Sequence, residues 1–436
     1  MSLNVLLITD EVWNDKLYTN NVLTNWFEGL SVNLANLYLA SGTPDNSCCS
    51  KYFQITDGMM IHSIFTKSKA GREFIIGAEK FPAIKSAEND PFIIDFLRLH
   101  PLESFRLLKD IMWVKGEINE QALEEFIQDF KPDIIFSLRM ASLKVLSVEK
   151  LVWKLTKVPI VCFTGDDEYT LGQLRFSLVF WIRRFLLRKK LKETVKYYDK
   201  YYTLSKEQAE FYKKRFDIDT KVLMKCRDIN EDTKLKEVHK PIKLIYAGRL
   251  YCNRHKTLIK IKEALEEINR NDVKMTLDIY TKDKVSGRRR KLLSDGVNSS
   301  LHPGVSAKEL EEIYKAGDIA LHVESFELRM KLLTKYSFST KIIDCLASSC
   351  SVIAIGPKKN AGVRYLKDKK AAICITRPED IVRTLQKIAG NKDGLIKYQK
   401  RAIKCVKKYH SRIEVQKEIL GDFEKVIAEF KKRNKY

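Results

Sequence analysis

The chain of 436 residues exceeds one core of ordinary size, and at roughly 100–200 residues per domain it points to two or three domains, two being the simpler reading. A composition of 44% hydrophobic and 31% charged residues excludes a disordered chain, and no stretch approaches the ~18–20 uninterrupted apolar residues that a membrane-spanning helix needs. The net charge of +23 raises encounter rates with polyanions, whether nucleic acid, anionic lipid or phosphorylated substrate, and says nothing about fold.

The nine cysteines are scattered singly apart from Cys48 and Cys49, with no C-x-x-C pair and no Cys/His cluster at ligand spacing. A disulfide framework and a structural zinc site are therefore not expected. The opening "MSLNVLLITDEVWND" has a short apolar run with neither a basic flank nor a small-residue cleavage site, so it reads as a first buried strand of a cytosolic protein.

In chain order, "NVLLIT" (4–9), "DIIFSL" (133–138), "PIVCFT" (159–164) and "KYYTLS" (200–205) are the strand candidates of the first half, and Ser205-x-x-Gln208 caps a helix after the last. Between Ser41 and Glu120 no clear period emerges. The polar "RDINEDTKLKEVHKP" (227–241) reads as a linker. Beyond it "IKLIYAG" (242–248), "MTLDIYT" (275–281), "DIALHVE" (318–324), "SVIAIG" (351–356) and "AAICI" (371–375) alternate with helical stretches, one of them opened by the capping box Ser306-x-x-Glu309. The last segment, "IEVQKEILGDFEKVIAEFKKRNKY" (413–436), is one amphipathic helix with a basic end. Such alternation predicts an α/β protein of two doubly wound, Rossmann-like domains facing across a cleft. Their expected limits are 1–225 for the first, 226–240 for a linker and 241–409 for the second, with a C-terminal helix over 410–436 crossing back to the first.

Ligands of such sheets bind at the carboxyl ends of the strands. There "YAGRLYCNRHKT" (246–257) offers Gly248 for a tight turn, then Arg249, Arg254 and Lys256 near the start of a helix, where free backbone N–H groups already favour an anion. Spacing alone leaves two readings, a phosphate site or a solvated basic loop. "DIALHVESF" (318–326) ends a strand with Glu324, placed either for a sugar hydroxyl and developing positive charge or as an edge carboxylate. In "KYSFSTKIIDCLASS" (335–349), a helix from Lys341 would present Ser337, Phe338, Ser339 and Thr340 at its amino end as a diphosphate cradle, with Asp344 one turn on and within reach of ribose hydroxyls. Plain capping by serine and threonine is the other reading, and it leaves the nearby Arg249, Arg254 and Glu324 unexplained.

The order "YAGRL…R-x-K", "HPGVSAKELEEIYKAGDIALHVESF", "SFSTKIIDCLASSCSVIAIG" resembles the nucleotide-sugar half of GT-B-fold glycosyltransferases similar to family 4, over roughly 241–376 and plausibly the whole chain. Members of that family carry an E-x7-E pattern, from which this chain departs. Matching "CLASSCSVIA" to the end of the family run implies ribose binding by Asp344, a phosphate turn at Ser337–Thr340 and Lys341, and a donor-sugar contact at Glu324 across the insertion "ELRMKLLTKY". Arg249 matches the arginine of the G-R motif, and Arg254 and Lys256 compete for the cationic position after it. The resemblance implies a retaining transfer from a nucleoside-diphosphate sugar with no protein nucleophile, no cofactor and no metal, the cations replacing a divalent ion.

In the first half, "FTGDDEY" (163–169) places Asp166 and Asp167 just beyond a strand, either to contact an acceptor hydroxyl or to cap a helix. "LRFSLVFWIRRFLLRKKLKETVK" (174–196) joins a Phe/Leu/Trp face to Arg183, Arg184, Arg188, Lys189, Lys190 and Lys192, and suits either an anionic membrane interface or a core helix with a basic outer side. The membrane reading fits a glycan or lipid-linked acceptor at the cytoplasmic membrane face. "SGRRRK" (286–291) reads as a solvated loop, and no aromatic–basic stacking motif or nucleic-acid-binding signature supports a nucleic-acid partner.

Overall fold

The computed structural model describes residues 2–16, 22–74, 103–228 and 235–434. The centre of the expected linker lies outside the described residues. The chain forms two compact units, one of 1–171, 175–223 and 416–436, the other of 172–174 and 224–415.

The sheet of the first unit contains β1 (Leu3–Thr9), β2 (Val32–Tyr38), β3 (Cys49–Gln54), β4 (Arg72–Phe74), β5 (Ile134–Arg139), β6 (Ile160–Thr164), β7 (Tyr198–Thr203) and β8 (Thr220–Val222). Their spatial order is β4-β3-β2-β1-β5-β6-β7-β8, all parallel except β4, which runs antiparallel to β3. The chain winds outward from β1 through β2 and β3, then returns to lay β5 on the other side of β1. That reversal defines a doubly wound sheet and opens a crevice at the carboxyl ends of β1 and β5. The helices are α1 (Val22–Phe27), α2 (Asp57–Phe65), α3 (Glu103–Lys115), α4 (Glu120–Phe130), α5 (Leu143–Thr156), α6 (Leu178–Thr194) and α7 (Lys206–Phe216). Ser205 caps α7 by accepting from the Gln208 amide, as its spacing predicts.

One polar cluster lies inside this unit. Arg139, at the end of β5, donates to Glu149 (3.1 Å) and Glu168 (2.8 Å), all three side chains fully buried, and to the Tyr198 hydroxyl at 2.6 Å. Two carboxylates share one guanidinium, and burial raises the Glu149 pKa against the pull of Arg139.

The second sheet is built from β9 (Ile242–Ala247), β10 (Met275–Thr281), β11 (Ser299–Pro303), β12 (Ile319–Val323), β13 (Ser351–Ile355) and β14 (Ile373–Ile375), in the order β11-β10-β9-β12-β13-β14 and parallel throughout. The direction of winding switches between β9 and β12. Its helices include α8 (Arg254–Ile268), α9 (Gly287–Leu293), α10 (Ala307–Lys315), α11 (Leu328–Leu333), α12 (Lys341–Ala347), α13 (Ala361–Asp368), α14 (Asp380–Gly390) and α15 (Asp393–Tyr409). Ser306 and Glu309 form the capping box ahead of α10. "SGRRRK", expected as a loop, is instead the start of exposed α9, anchored by buried Leu293; one apolar anchor leaves too little periodicity to mark a helix.

The described part of the expected linker is not a free tether. Lys236 donates to the carbonyls of Tyr314 (2.6 Å) and Gly317 (2.7 Å), and Val238 packs on the core of the second unit. The last helix, α16 (Arg412–Arg433), buries Val415, Ile419, Phe423 and Val426 at a spacing that puts them on one stripe. Its part from Gln416 on belongs to the first unit, where Phe423 meets Phe136 of β5 (ring centroids 5.9 Å) and Asp422 accepts from Lys221 of β8 at 2.9 Å.

Candidate functional site

The switch point between β9 and β12 gathers most of the residues singled out in the sequence. Gly248 follows β9 and is approached so closely that a Cβ there would lie 2.9 Å from the Tyr246 hydroxyl and 3.2 Å from the Lys341 ammonium. Only glycine leaves that space open. Lys341, the first residue of α12, reaches the Ala247 carbonyl at 3.4 Å and has no carboxylate within ion-pair distance among the described residues. Burial and then the Arg254 guanidinium press its ammonium pKa below the ordinary lysine value, as befits a cation set beside another cation.

Arg254 opens α8 and is buried. Its guanidinium grips Glu324 at the end of β12 through two bonds, Nη2 to Oε1 at 2.6 Å and Nε to Oε2 at 3.3 Å, and lies over the Tyr251 ring at 4.6 Å. Thr257, one turn along α8, donates to the Glu324 carbonyl at 2.9 Å. Gly356, after β13, allows Glu324 to sit this deep, since a Cβ there would come within 2.8 Å of the Glu324 Cβ. The glutamate is therefore held inside the sheet's rim by Arg254, and its side chain is only 4% exposed. Neighbouring His322 is buried, its Nε2 3.9 Å from the Glu324 carboxylate and without a hydrogen-bond partner among the described residues, and burial lowers its pKa to about 4, so it is neutral at pH 7.

Arg249 and Lys256, the other two expected cations, turn outward. Arg249 pairs with Asp283 at 3.0 Å, and that aspartate also accepts from the Leu250 amide at 2.6 Å. Lys256 pairs with Glu327, which also accepts from the Asn253 side chain. Of the two residues competing for the cationic position, Arg254 is buried and Lys256 exposed, each paired with a glutamate. Sequence reasoning missed Asp283 and Glu327 as partners, because both lie more than 30 positions from the residues they hold.

Ser337, Phe338, Ser339 and Thr340 form an irregular approach to α12, with the Ser339 carbonyl accepting from Ile342 (3.0 Å) and the Thr340 carbonyl from Ile343 (3.1 Å). Phe338 is buried edge-on against Tyr365, ring centroids 5.3 Å apart, and so anchors the turn. Asp344 lies one turn further on, but its carboxylate is taken by Lys225 at 3.1 Å, with Arg227 at 3.9 Å. Both cations come from "KCRD" at the edge of what reads as linker; two basic residues around a cysteine were the only available signal. Among the described residues, no three His, Cys, Asp or Glu side chains are grouped to hold a metal ion.

Asp166 belongs to the first unit, exposed at the end of β6, where its carbonyl accepts from Gln208 at 2.8 Å. Asp167 serves structure. It accepts from the amides of Tyr169 (3.0 Å) and Thr170 (2.9 Å) and pairs with Arg184 at 3.2 Å. The basic side expected of 174–196 therefore loses three of its six cations to internal partners. Arg184 is buried against the 167–170 loop, Arg188 lies over the Tyr169 ring at 4.0 Å, and Arg183 is paired with Asp110 and Glu103. Lys189, Lys190 and Lys192 have no such ties among the described residues. Among the described residues, no helix is long and apolar enough to cross a membrane.

Two doubly wound sheets, parallel but for β4, make up the architecture of the GT-B fold. Solved structures of that fold match nearly the whole chain. HepE of Anabaena, solved in complex with UDP, superposes with a TM-score of 0.61 at 10% identity over 97% of this chain and 100% of its own. A trehalose-6-phosphate protein from E. coli bound to UDP-2-fluoro glucose gives 0.61 at 11% identity over 96% and 98%. WaaG, a glycosyltransferase involved in lipopolysaccharide biosynthesis, gives 0.54 at 12% identity over 95% and 98%. No protein-family model and no curated protein matches the sequence.

Proposed function

We propose that the protein is a nucleotide-sugar-dependent glycosyltransferase, moving a hexosyl group from a nucleoside-diphosphate sugar to a glycan or lipid-linked acceptor. The observation that carries this reading is the pairing of buried Arg254 with carboxylate-free Lys341 over Gly248, at the switch point of a parallel sheet. Lys341 set beside Arg254 suits a diphosphate, whose growing negative charge dominates the transition state of such a transfer. With that charge met by Arg254 and Lys341, a divalent ion is not needed. Asp344 is the ribose ligand in this reading, exchanging Lys225 for the sugar hydroxyls. Glu324, oriented by Arg254 and Thr257, borders the donor sugar.

The transfer is assigned as retaining. The bond from the anomeric carbon to the phosphate oxygen breaks, the acceptor oxygen bonds to the same face of that carbon, and its proton passes to the departing phosphate. No protein nucleophile is required, and Asp166 is the candidate contact for the acceptor hydroxyl. The protein would work in the cytoplasm, peripherally at the inner face of the cell membrane.

Titration calorimetry with nucleoside diphosphates and their sugars, without metal, tests the donor site; the UDP and UDP-2-fluoro glucose bound in two structures of the same fold put the uridine series first. Tight binding of one diphosphate, lost in Arg254→Ala and weakened in Lys341→Ala, supports the reading. Absence of binding across the panel refutes it. Release of a free, altered nucleotide sugar without acceptor would assign the same site to an epimerase.

A further inference from the structure

In an ordinary surface helix the outward face is charged. Helix α6 departs from this on both sides. Its inner stripe buries Leu187 and Leu191, while Leu178, Ile182, Phe185 and Leu186, at positions i, i+4, i+7 and i+8, face outward, Leu178 74% and Phe185 55% exposed. Phe176, just before the helix, is 99% exposed. Beside α6 lies α3, whose own outer residues Leu108, Ile111 and Val114 are exposed, Val114 by 83%. Between the two helices and α5 runs a groove of about 370 Å³, its apolar floor including Leu107, Ile111 and Leu186 and its rim Lys115, Lys189 and Lys190. The acids on the lining are Asp110, neutralised by Arg183, and Glu193. Contiguous exposed apolar surface of this kind marks an interaction site.

We propose that this face of the first unit docks on an anionic lipid bilayer, inserting Phe176, Leu178, Phe185 and Val114 into the headgroup region while Lys115, Lys189 and Lys190 meet lipid phosphates. Charge decides the occupant. Lysine is depleted from protein–protein interfaces but favoured where an apolar helix face lies on anionic headgroups. The cations that act are not the helix's arginines, which are held internally, but Lys115, Lys189 and Lys190; the fourth lysine lining the groove, Lys144, is paired with Asp10 and Asp57. The inference deepens the proposal of a lipid-linked acceptor and rests on it only for its purpose, because the surface lies wholly in the first unit and the donor residues in the second.

The test is co-sedimentation of the full chain with phosphatidylglycerol/phosphatidylcholine vesicles and with pure phosphatidylcholine, in about 0.1 M salt. The wild type is expected to bind the anionic vesicles selectively. Paired Val114→Ser and Phe176→Ser substitutions should weaken binding by about tenfold or more, and Lys189→Gln and Lys190→Gln by roughly fivefold each. Val114, Phe176 and Lys189 are exposed and Lys190 is half-buried with no ion pair among the described residues, so folding and nucleoside-diphosphate binding should be unchanged. The proposal is overturned if the wild type ignores anionic vesicles, if the serine pair binds as the wild type does, or if sedimentation equilibrium shows a dimer that the serine pair dissolves. Vesicle binding without any diphosphate binding would leave the surface standing and remove the transferase reading instead.

Discussion

Replacing Arg254 by methionine separates two jobs that the structure gives one side chain. The substitution leaves Glu324, 4% exposed, without the two bonds at 2.6 and 3.3 Å that balance its charge. Removing one partner of a buried pair costs about 3–5 kcal/mol, whereas replacing both by neutral groups of similar shape is close to neutral. For a unit of this size the single variant should lower the melting temperature by about 10 °C. Arg254→Met with Glu324→Gln should recover most of that loss. Diphosphate affinity should follow a different pattern, falling in both variants and recovering in neither. All five tryptophans, Trp13 to Trp181, lie in the first unit, so their emission does not report this change. Hydrogen exchange in the peptides of β9 and β12, beside titration calorimetry with the diphosphate, reads both quantities. Equal stability of the single and double variants would refute the view that Glu324 becomes the liability, and wild-type diphosphate affinity in either variant would remove Arg254 from the phosphate site.

Gly248→Ala should abolish diphosphate binding at a stability cost of about 1–3 kcal/mol, because the new methyl meets Tyr246 and Lys341; calorimetry and urea unfolding check the two effects. Asp344→Asn should reduce affinity for a ribonucleoside diphosphate roughly tenfold or more while leaving inorganic pyrophosphate unaffected, the difference being one hydrogen bond to a charged group. Arg139→Met strands two buried carboxylates and should destabilise the first unit by about 3–5 kcal/mol, visible as an earlier urea transition in tryptophan emission. His322 and His410 are both lowered from 6.5 to about 4 by burial, so between those values the unfolded chain binds more protons than the folded one. Their stability contribution is complete above pH 6.5 and falls by up to about 3 kcal/mol each as pH drops to 4. The urea midpoint of second-unit hydrogen exchange at pH 7 and pH 5 measures it, and His322→Asn should flatten the slope.

How much of this was legible depends on where the information resides along the chain. Local signals sufficed for "IKLIYAG", "DIALHVE" and "SVIAIG", since strands buried on both faces are continuous apolar runs. The capping box at Ser306 and the stripe of α16 were equally local. Strand β2, "VNLANLY", was not legible, because Asn36 interrupts the apolar run and is tolerated only through its bonds to the Leu7 carbonyl (3.3 Å) and the Thr9 hydroxyl (3.2 Å) across the sheet. In the candidate site, residue types and order along the chain were enough to single out Gly248, Arg254, Glu324 and Lys341. The sequence by itself determined that strands and helices alternate and that these chemistry-bearing residues fall at the carboxyl ends of strands. Which cation is buried against Glu324, which is neutralised at the surface by Asp283 or Glu327, which arginines of α6 are turned inward, and that Asp344 rests on Lys225, only the tertiary structure decided. Those outcomes depend on ion pairs and burial between residues 17 to 119 positions apart, and charge at such separations is assigned a partner by packing, not by neighbours in the chain.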